Sequence, residues 1–176
     1  MITEGGKNIA PVPIEEDIKS RLTPIISNAM VVGDSKKYLS CLFTLQVTVD
    51  PATLLPTEFL NPAAVAWCKS HLGESKGGQV KTTHDFIEGP YAEKLRSVIQ
   101  KSINEYNEKS AETQVHKVKD FCILPHEFSF QTGELGPTLK VKRHVVTSKY
   151  KTSIEEMYSD NVYGTLYSKT LQPSLS

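Results

Sequence analysis

Apolar residues recur along this chain with two periods, roughly every fourth residue in some stretches and every second in others, and the switches between them mark its elements. Ile14, Ile18 and Leu22 repeat every fourth residue behind Pro13, which suits the first turn of a helix. Glu15, Glu16 and Asp17 precede Lys19 and Arg21, the order that the helix dipole favours, and Pro24 ends the helix. Two apolar runs, residues 25–32 and 38–49, flank the turn-forming Gly33-Asp34-Ser35-Lys36-Lys37 and predict a central antiparallel hairpin. Asn61-Pro62 opens a short apolar helix through Trp67 to Leu72, which Gly73 closes. Pro90 begins the longest helix, where Tyr91, Leu95, Val98, Ile99, Ile103 and Tyr106 mark the face that packs on the sheet. A third core strand is predicted around residues 115–124 and ends at Pro125.

Between these elements lie segments without a period. Gly5-Gly6 in the middle of residues 2–9 predicts a small hairpin whose turn uses positive φ. Residues 73–83, with Gly77-Gly78 and scattered polar side chains, read as a mobile surface loop. The turn Gly133-Glu134-Leu135-Gly136-Pro137 delivers Lys140 onto the start of a basic strand, with Lys140 and Lys142 projecting to one face and Val141 and Arg143 to the other. Tyr150, Ile154, Met157 and Tyr158 fit one face of a terminal helix, and residues 161–176, rich in Ser, Thr and Tyr, read as a flexible tail. The predicted class is α+β: a small N-terminal β-hairpin followed by a three-stranded, mainly antiparallel sheet flanked by helices.

Composition narrows the function classes. The 176 residues fit one globular domain with a tail, and 20 basic against 20 acidic side chains argue against a protein that coats nucleic acid. Cys41, Cys68 and Cys122 are odd in number and widely spaced, which suggests neither a disulfide framework nor a zinc site and points to a reducing, intracellular compartment. No apolar run reaches the ~18 residues of a membrane span, the first residues lack a signal-peptide pattern, and the final Ser-Leu-Ser lacks the basic residue of a peroxisomal address. His71, His84, His116, His126 and His144 show no ligand spacing, so no metal site is expected. A Gly-x-Ser-x-Gly elbow is absent.

Two glycine-bearing turns remain as carriers of chemistry. Gly5-Gly6-Lys7-Asn8 lacks the spacing of a phosphate-binding P-loop and locally reads as an ordinary hairpin turn. Lys140, Lys142, Arg143 and His144 form the dense basic cluster of the chain, a pattern that a solvated edge strand also produces. Taken together, Ile2-Thr3-Glu4-Gly5-Gly6-Lys7-Asn8-Ile9-Ala10-Pro11, followed by Ile14-Glu15, and Gly133-Glu134-Leu135-Gly136-Pro137-Thr138, leading to Lys140 and Lys142-Arg143, resemble the last two signature motifs of acyl-adenylate-forming enzymes. Ile25-Ile26-Ser27-Asn28-Ala29 and Asp34 are similar to the strand and turn of the bubblegum type of long-chain acyl-CoA synthetase, and residues 50–83 fit that pattern least.

That resemblance implies that residues 1–160 are the mobile C-terminal domain alone, the large N-terminal adenylating domain with its nucleotide loop and fatty-acid pocket being its partner. It implies a parent that joins a long-chain or very-long-chain fatty acid to coenzyme A, with ATP cleaved to AMP and diphosphate and Mg2+ required. Lys140 is then the adenylation lysine. Gly5, Gly6, Lys7 and Asn8 would line the coenzyme A tunnel, and Arg143 would face a phosphate or the partner domain. The domain by itself would hold no complete cofactor site, and the parent would be cytoplasmic or peripheral to the endoplasmic reticulum membrane. Two other readings stay open: a non-catalytic interaction or regulatory module that keeps this fold, and a nucleic-acid binder using Lys140, Lys142, Arg143 and Lys149. Neutral charge and the lack of aromatic interleaving disfavour the second.

Overall fold

The structure, a computed structural model, describes residues 1–159; the predicted tail at 161–176 lies outside them. α1 (Pro11–Arg21) starts on two prolines, whose missing N–H donors and fixed φ suit a first turn, and it buries Ile14 and Ile18. Next, β1 (Ile26–Val32) and β2 (Leu39–Leu45) pair antiparallel, with Ala29 opposite Phe43 and Val31 opposite Cys41. The predicted hairpin is therefore present, but its second run breaks at Gln46. β3 (Val47–Val49) leaves the sheet to form a separate ribbon with β4 (Pro56–Leu60).

α2 (Pro62–Leu72) is capped by the Asn61 side chain, which accepts from the Ala64 N–H, and ends at Gly73 as predicted. The loop expected over 73–83 is instead ordered. α3 (Glu74–Gly77) packs so tightly under α2 that a Cβ on Gly77 would come within 2.3 Å of the Lys69 Cα. Thr82 and Asp85 then form a reciprocal capping box for α4 (Thr83–Glu88). The glycines read as loop markers serve close backbone approach, which single-sequence punctuation cannot distinguish from a turn.

α5 (Ala92–Lys109) buries Leu95, Ile99, Ile103 and Tyr106, the predicted face. It leads through a 3-10 turn (Gln114–His116) to β5 (Val118–Ile123), which lies beside β2 in the order β1-β2-β5. One of the two strand pairings in the sheet is antiparallel. The β2–β5 pairing is parallel, because the long excursion through four helices returns the chain to the same end of the sheet.

Every residue of β2 is buried, which tells that both faces of the sheet are covered. Leu39, Cys41, Phe43 and Leu45 join the cluster that contains α1, α2 and α5 side chains. Leu42, with Met30 and Val32, joins Val146, Tyr150, Ile154 and Met157 on the opposite face. Val146 belongs to α6 (Arg143–Lys149), Ile154 and Met157 to α7 (Lys151–Met157), and Tyr150 is the junction between the two helices. The basic strand expected from Lys140 onward is thus not formed. A single bridge between Leu135 and Val141 is followed at once by α6. The β-branched Val145 and Val146 favour a strand locally, but Val146, Tyr150 and Ile154 at four-residue spacing can all reach the apolar sheet face only on a helical path.

Candidate functional site

The N-terminal turn is a real hairpin of one bridge, between Ile2 and Asn8. The Gly6 N–H donates to the Thr3 carbonyl at 2.9 Å and the Thr3 N–H to the Lys7 carbonyl at 3.0 Å. Gly6 has φ +70°, so the left-handed requirement falls on it and not on Gly5. A Cβ on Gly6 would have nothing within 4 Å. The hairpin rests on the β1–β2 turn: the Ile2 N–H donates to Asp34 Oδ1 at 2.9 Å, the Ser35 N–H to the Ile2 carbonyl at 2.8 Å and the Glu4 N–H to the Lys36 carbonyl at 3.0 Å. Ile9 is buried beneath it while Gly5, Gly6, Lys7 and Asn8 are exposed.

Lys140 stands on a second hairpin. The Leu139 N–H donates to the Gly136 carbonyl at 2.9 Å, and the Gly136 N–H to the Lys140 carbonyl at 2.8 Å. This is a turn followed by a left-handed residue, and that residue is Leu139, with φ +58° and 70% exposed. Pro137, Thr138, Leu139 and Lys140 are all exposed, and the Lys140 ammonium has no ion-pair or hydrogen-bond partner among the described residues. The expectation that this lysine is presented rather than buried agrees with the geometry, although a hairpin tip presents it and not a strand.

The base of that tip is charged and buried. Glu134 is 1% exposed, and its carboxylate pairs with the Lys149 ammonium from α6 and accepts the Thr132 hydroxyl. Burial alone would raise the Glu134 pKa, but the hydrogen bonds from Lys149 and Thr132 outweigh it and hold the carboxyl below the ordinary glutamate range. Arg143 is engaged inside the domain. It donates to the Val31 carbonyl at 3.0 Å and pairs with Glu15, which itself accepts the Val31 N–H at 2.6 Å. Because β1 is an edge strand, Glu15 and Arg143 satisfy the open backbone groups of Val31. The guanidinium expected to face a phosphate or another domain is therefore occupied here. Arg143 also lines a groove of about 200 Å³ beside Met1, Asp34, Lys36 and Thr147, where the base of the N-terminal hairpin meets α6.

Sequence reading singled out Lys140 and Gly6 but not the pairs Glu134–Lys149 and Glu15–Arg143 that stand beside them. Glu134 and Lys149 are fifteen residues apart and Glu15 and Arg143 far more, so no local spacing announces either pair. A signal existed in Glu134 itself, an acid inside an otherwise apolar glycine turn, which demands a partner if the turn packs. Among the described residues no three His, Cys, Asp or Glu side chains stand close enough to hold a metal, and burial pushes the Cys68 and Cys122 thiols up to about 12. Those thiols stay protonated and are poor nucleophiles.

Two exposed glycine-bearing hairpins, one carrying a lysine without a partner among the described residues, thus stand on one α+β core. Residues 1–63 match the AMP-binding enzyme C-terminal domain family. The chain as a whole is similar to bubblegum-type ligases: it is 41% identical over 160 residues to the long-chain-fatty-acid–CoA ligase ACSBG1 of Bos taurus and equally so to ACSBG2 of Xenopus laevis, covering 91% of this chain in each case. It spans 21% of the length of either relative. The adenylation domain of a carboxylate reductase from Mycobacterium chelonae shares the fold at TM-score 0.60 and 17% identity, over 91% of this chain and 19% of that one. The chain belongs with the C-terminal domains of AMP-forming acyl-CoA ligases.

Proposed function

We propose that the whole protein ligates a long-chain or very-long-chain fatty acid to coenzyme A at the expense of ATP, and that residues 1–160 are its mobile C-terminal domain. The observation that carries this reading is Lys140, fully presented on a braced hairpin in a chain whose relatives are named long-chain-fatty-acid–CoA ligases. In the first half-reaction a carboxylate oxygen of the fatty acid attacks the α-phosphorus of ATP, the bond to the β-phosphate breaks, and diphosphate leaves. Lys140 enters the site contributed by the adenylating domain and holds its ammonium against the charge that shifts between carboxylate and phosphate. An ammonium in a site closed to water stabilises such charge far more than one in bulk solvent.

In the second half-reaction the coenzyme A sulfur attacks the acyl carbonyl and AMP leaves. The domain rotates, Lys140 withdraws and the Gly6 turn arrives, its missing side chain leaving room for the pantetheine arm. Lys7 and Asn8 flank that path, both exposed. ATP and coenzyme A are substrates of the whole enzyme, and Mg2+ accompanies the nucleotide in the adenylating domain. No helix of the described residues is long and apolar enough to cross a membrane; the parent is proposed to act inside the cell, free in the cytoplasm or peripheral to the endoplasmic reticulum membrane.

The test separates the two half-reactions in the full-length protein. Lys140→Ala is expected to lose fatty-acid-dependent diphosphate release while keeping thioester formation from supplied acyl-adenylate. Equal loss in both would make Lys140 structural and end the two-state reading.

A further inference from the structure

Among the described residues Lys140 has no side-chain partner, yet its tip holds a bulky residue in an unfavourable conformation. Leu139, immediately before it, sits at φ +58°, a region that leucine adopts only when the surrounding chain leaves no alternative. Two backbone hydrogen bonds within residues 136–140 close the tip, and what fixes their geometry is the base below. Glu134 is the residue of that base that ties both arms of the hairpin to α6. Its carbonyl accepts the Lys142 N–H at 2.7 Å, tying the outgoing arm to the incoming one. One carboxylate oxygen pairs with Lys149 of α6, and the other accepts the Thr132 hydroxyl and, at 3.5 Å, the Ser129 N–H. Ser129 is itself bound by Thr132, with its Oγ 2.6 Å from the threonine oxygen, and its carbonyl takes the Leu135 N–H at 3.0 Å. The neighbouring Leu135 packs into the same apolar cluster as Val146 of α6.

A carboxylate 1% exposed inside a surface hairpin is a costly choice if stability were its only use, because a well-packed apolar pair often serves as well. What an ion pair adds is a single distance and direction between hairpin and helix. We propose that Glu134, locked by Lys149, is a positioning residue for Lys140, setting the orientation in which the hairpin tip carries the ammonium into the adenylation site. The inference rests on the reading of Lys140 as the adenylation lysine and adds a specific residue through which that lysine is aimed. Glu134 does not reach the substrates itself; it acts through the backbone of residues 134–142.

The experiment uses the full-length protein with Glu134→Gln, Lys140→Ala and the double variant, each first shown to be folded by thermal unfolding. Glu134→Gln keeps shape and one acceptor while removing the charge that Lys149 needs. The adenylation kcat should fall by about 10²-fold, the scale of a misplaced catalytic group, with the KM values for ATP and fatty acid close to those of the parent. Thioester formation from supplied acyl-adenylate should be unchanged, and in the Lys140→Ala background the Glu134 substitution should add nothing. Parental adenylation by folded Glu134→Gln, equal loss in both half-reactions, or a further loss on top of Lys140→Ala would each overturn the proposal. If Glu134→Gln does not fold, Thr132→Val removes one bond to the same carboxylate and should show a smaller loss confined to adenylation; a loss spread over both halves overturns it. Full adenylation by Lys140→Ala would bring down the underlying reading, whereas a dead Lys140→Ala beside an unaffected Glu134→Gln would sink this inference alone.

Discussion

The two exposed hairpins are built on one plan and braced in opposite ways. Each is closed by a single bridge, Ile2 to Asn8 in one and Leu135 to Val141 in the other, and each places a left-handed residue at its tip. At the N-terminal tip that residue is Gly6, and the hairpin is tied to the β1–β2 turn chiefly by backbone bonds. At the second tip it is Leu139, and the brace is an ion pair between the buried Glu134 and the partly exposed side chain of Lys149. A turn whose task is to leave space needs no side chain at its tip. A turn whose task is to place one charge needs a side-chain brace that sets direction.

The sharpest test of this difference is Lys140→Ala, where adenylation in the full-length protein should fall by about 10²- to 10³-fold, the scale for removing one electrostatic stabiliser. Gly6→Leu should show the reverse pattern, sparing acyl-adenylate formation and blocking transfer to coenzyme A by about 10²-fold or more, the scale for obstructing a near-attack geometry. Nothing lies within 4 Å of a Cβ at Gly6, so the first atom of a side chain there meets no neighbour in this domain. Gly6→Ala separates bulk from backbone strain: both substitutions carry about 1–2 kcal/mol of left-handed strain, but only leucine fills the path. Equal defects in the two variants, read by thioester formation and thermal unfolding, would make Gly6 a turn residue and nothing more.

Legibility followed range along the chain. Gly6 and Lys140 stood out because a turn and its cargo lie within a few residues. The periodic faces of α1, α2 and α5 were readable for the same reason, each repeat being local. The α4 cap from Thr82 to Asp85 was equally local and was overlooked in favour of the glycines beside it. The direction of β5, the path of residues 143–149 and the two ion pairs depend on segments that meet only in space. Residues His144-Val145-Val146 have strand-like character, and the apolar face offered by Met30, Leu42 and Phe128 overrides it.

Smaller effects probe the brace itself through stability. Glu134→Gln should cost about 1–3 kcal/mol at neutral pH by stranding Lys149 beside a neutral group. The folded Glu134 carboxyl is held below the ordinary range, so its contribution is complete above that range and disappears as pH falls through its lowered value; the gap between parent and variant should close in acid. Glu127 behaves oppositely. Burial raises its pKa despite hydrogen bonds from Ser27, Thr44 and Asn28, so its favourable contribution exists in acid and is lost as pH rises through the raised value. Glu127→Gln should therefore be neutral or stabilising at pH 7 by no more than about 1 kcal/mol, and urea melts of both variants across pH 3–8 would expose any failure of this opposition. Arg143→Met leaves the Val31 carbonyl and Glu15 without their shared partner and should cost about 1–2 kcal/mol, with no preference between the half-reactions. A defect in adenylation alone, at unchanged stability, would return Arg143 to a phosphate or the adenylating domain.

The smallest expected change converts one tip into the other. Leu139→Gly removes about 1 kcal/mol of left-handed strain from the folded state, while the added freedom of the unfolded chain offsets about 0.4–1 kcal/mol of that. The unfolding midpoint should then move by less than about 1 kcal/mol in either direction. The tip would gain freedom directly next to Lys140, so adenylation should fall modestly while Glu134 and Lys149 keep the base in place. Leu139 is 70% exposed and belongs to neither apolar cluster of the described residues, which leaves its stiffness as the property at stake. Denaturant unfolding together with diphosphate release distinguishes the cases. A loss as large as that of Lys140→Ala, in a fully folded variant, would mean that the leucine side chain contacts the adenylating domain or its substrates, and the tip would then be a docking surface as well as a carrier of charge.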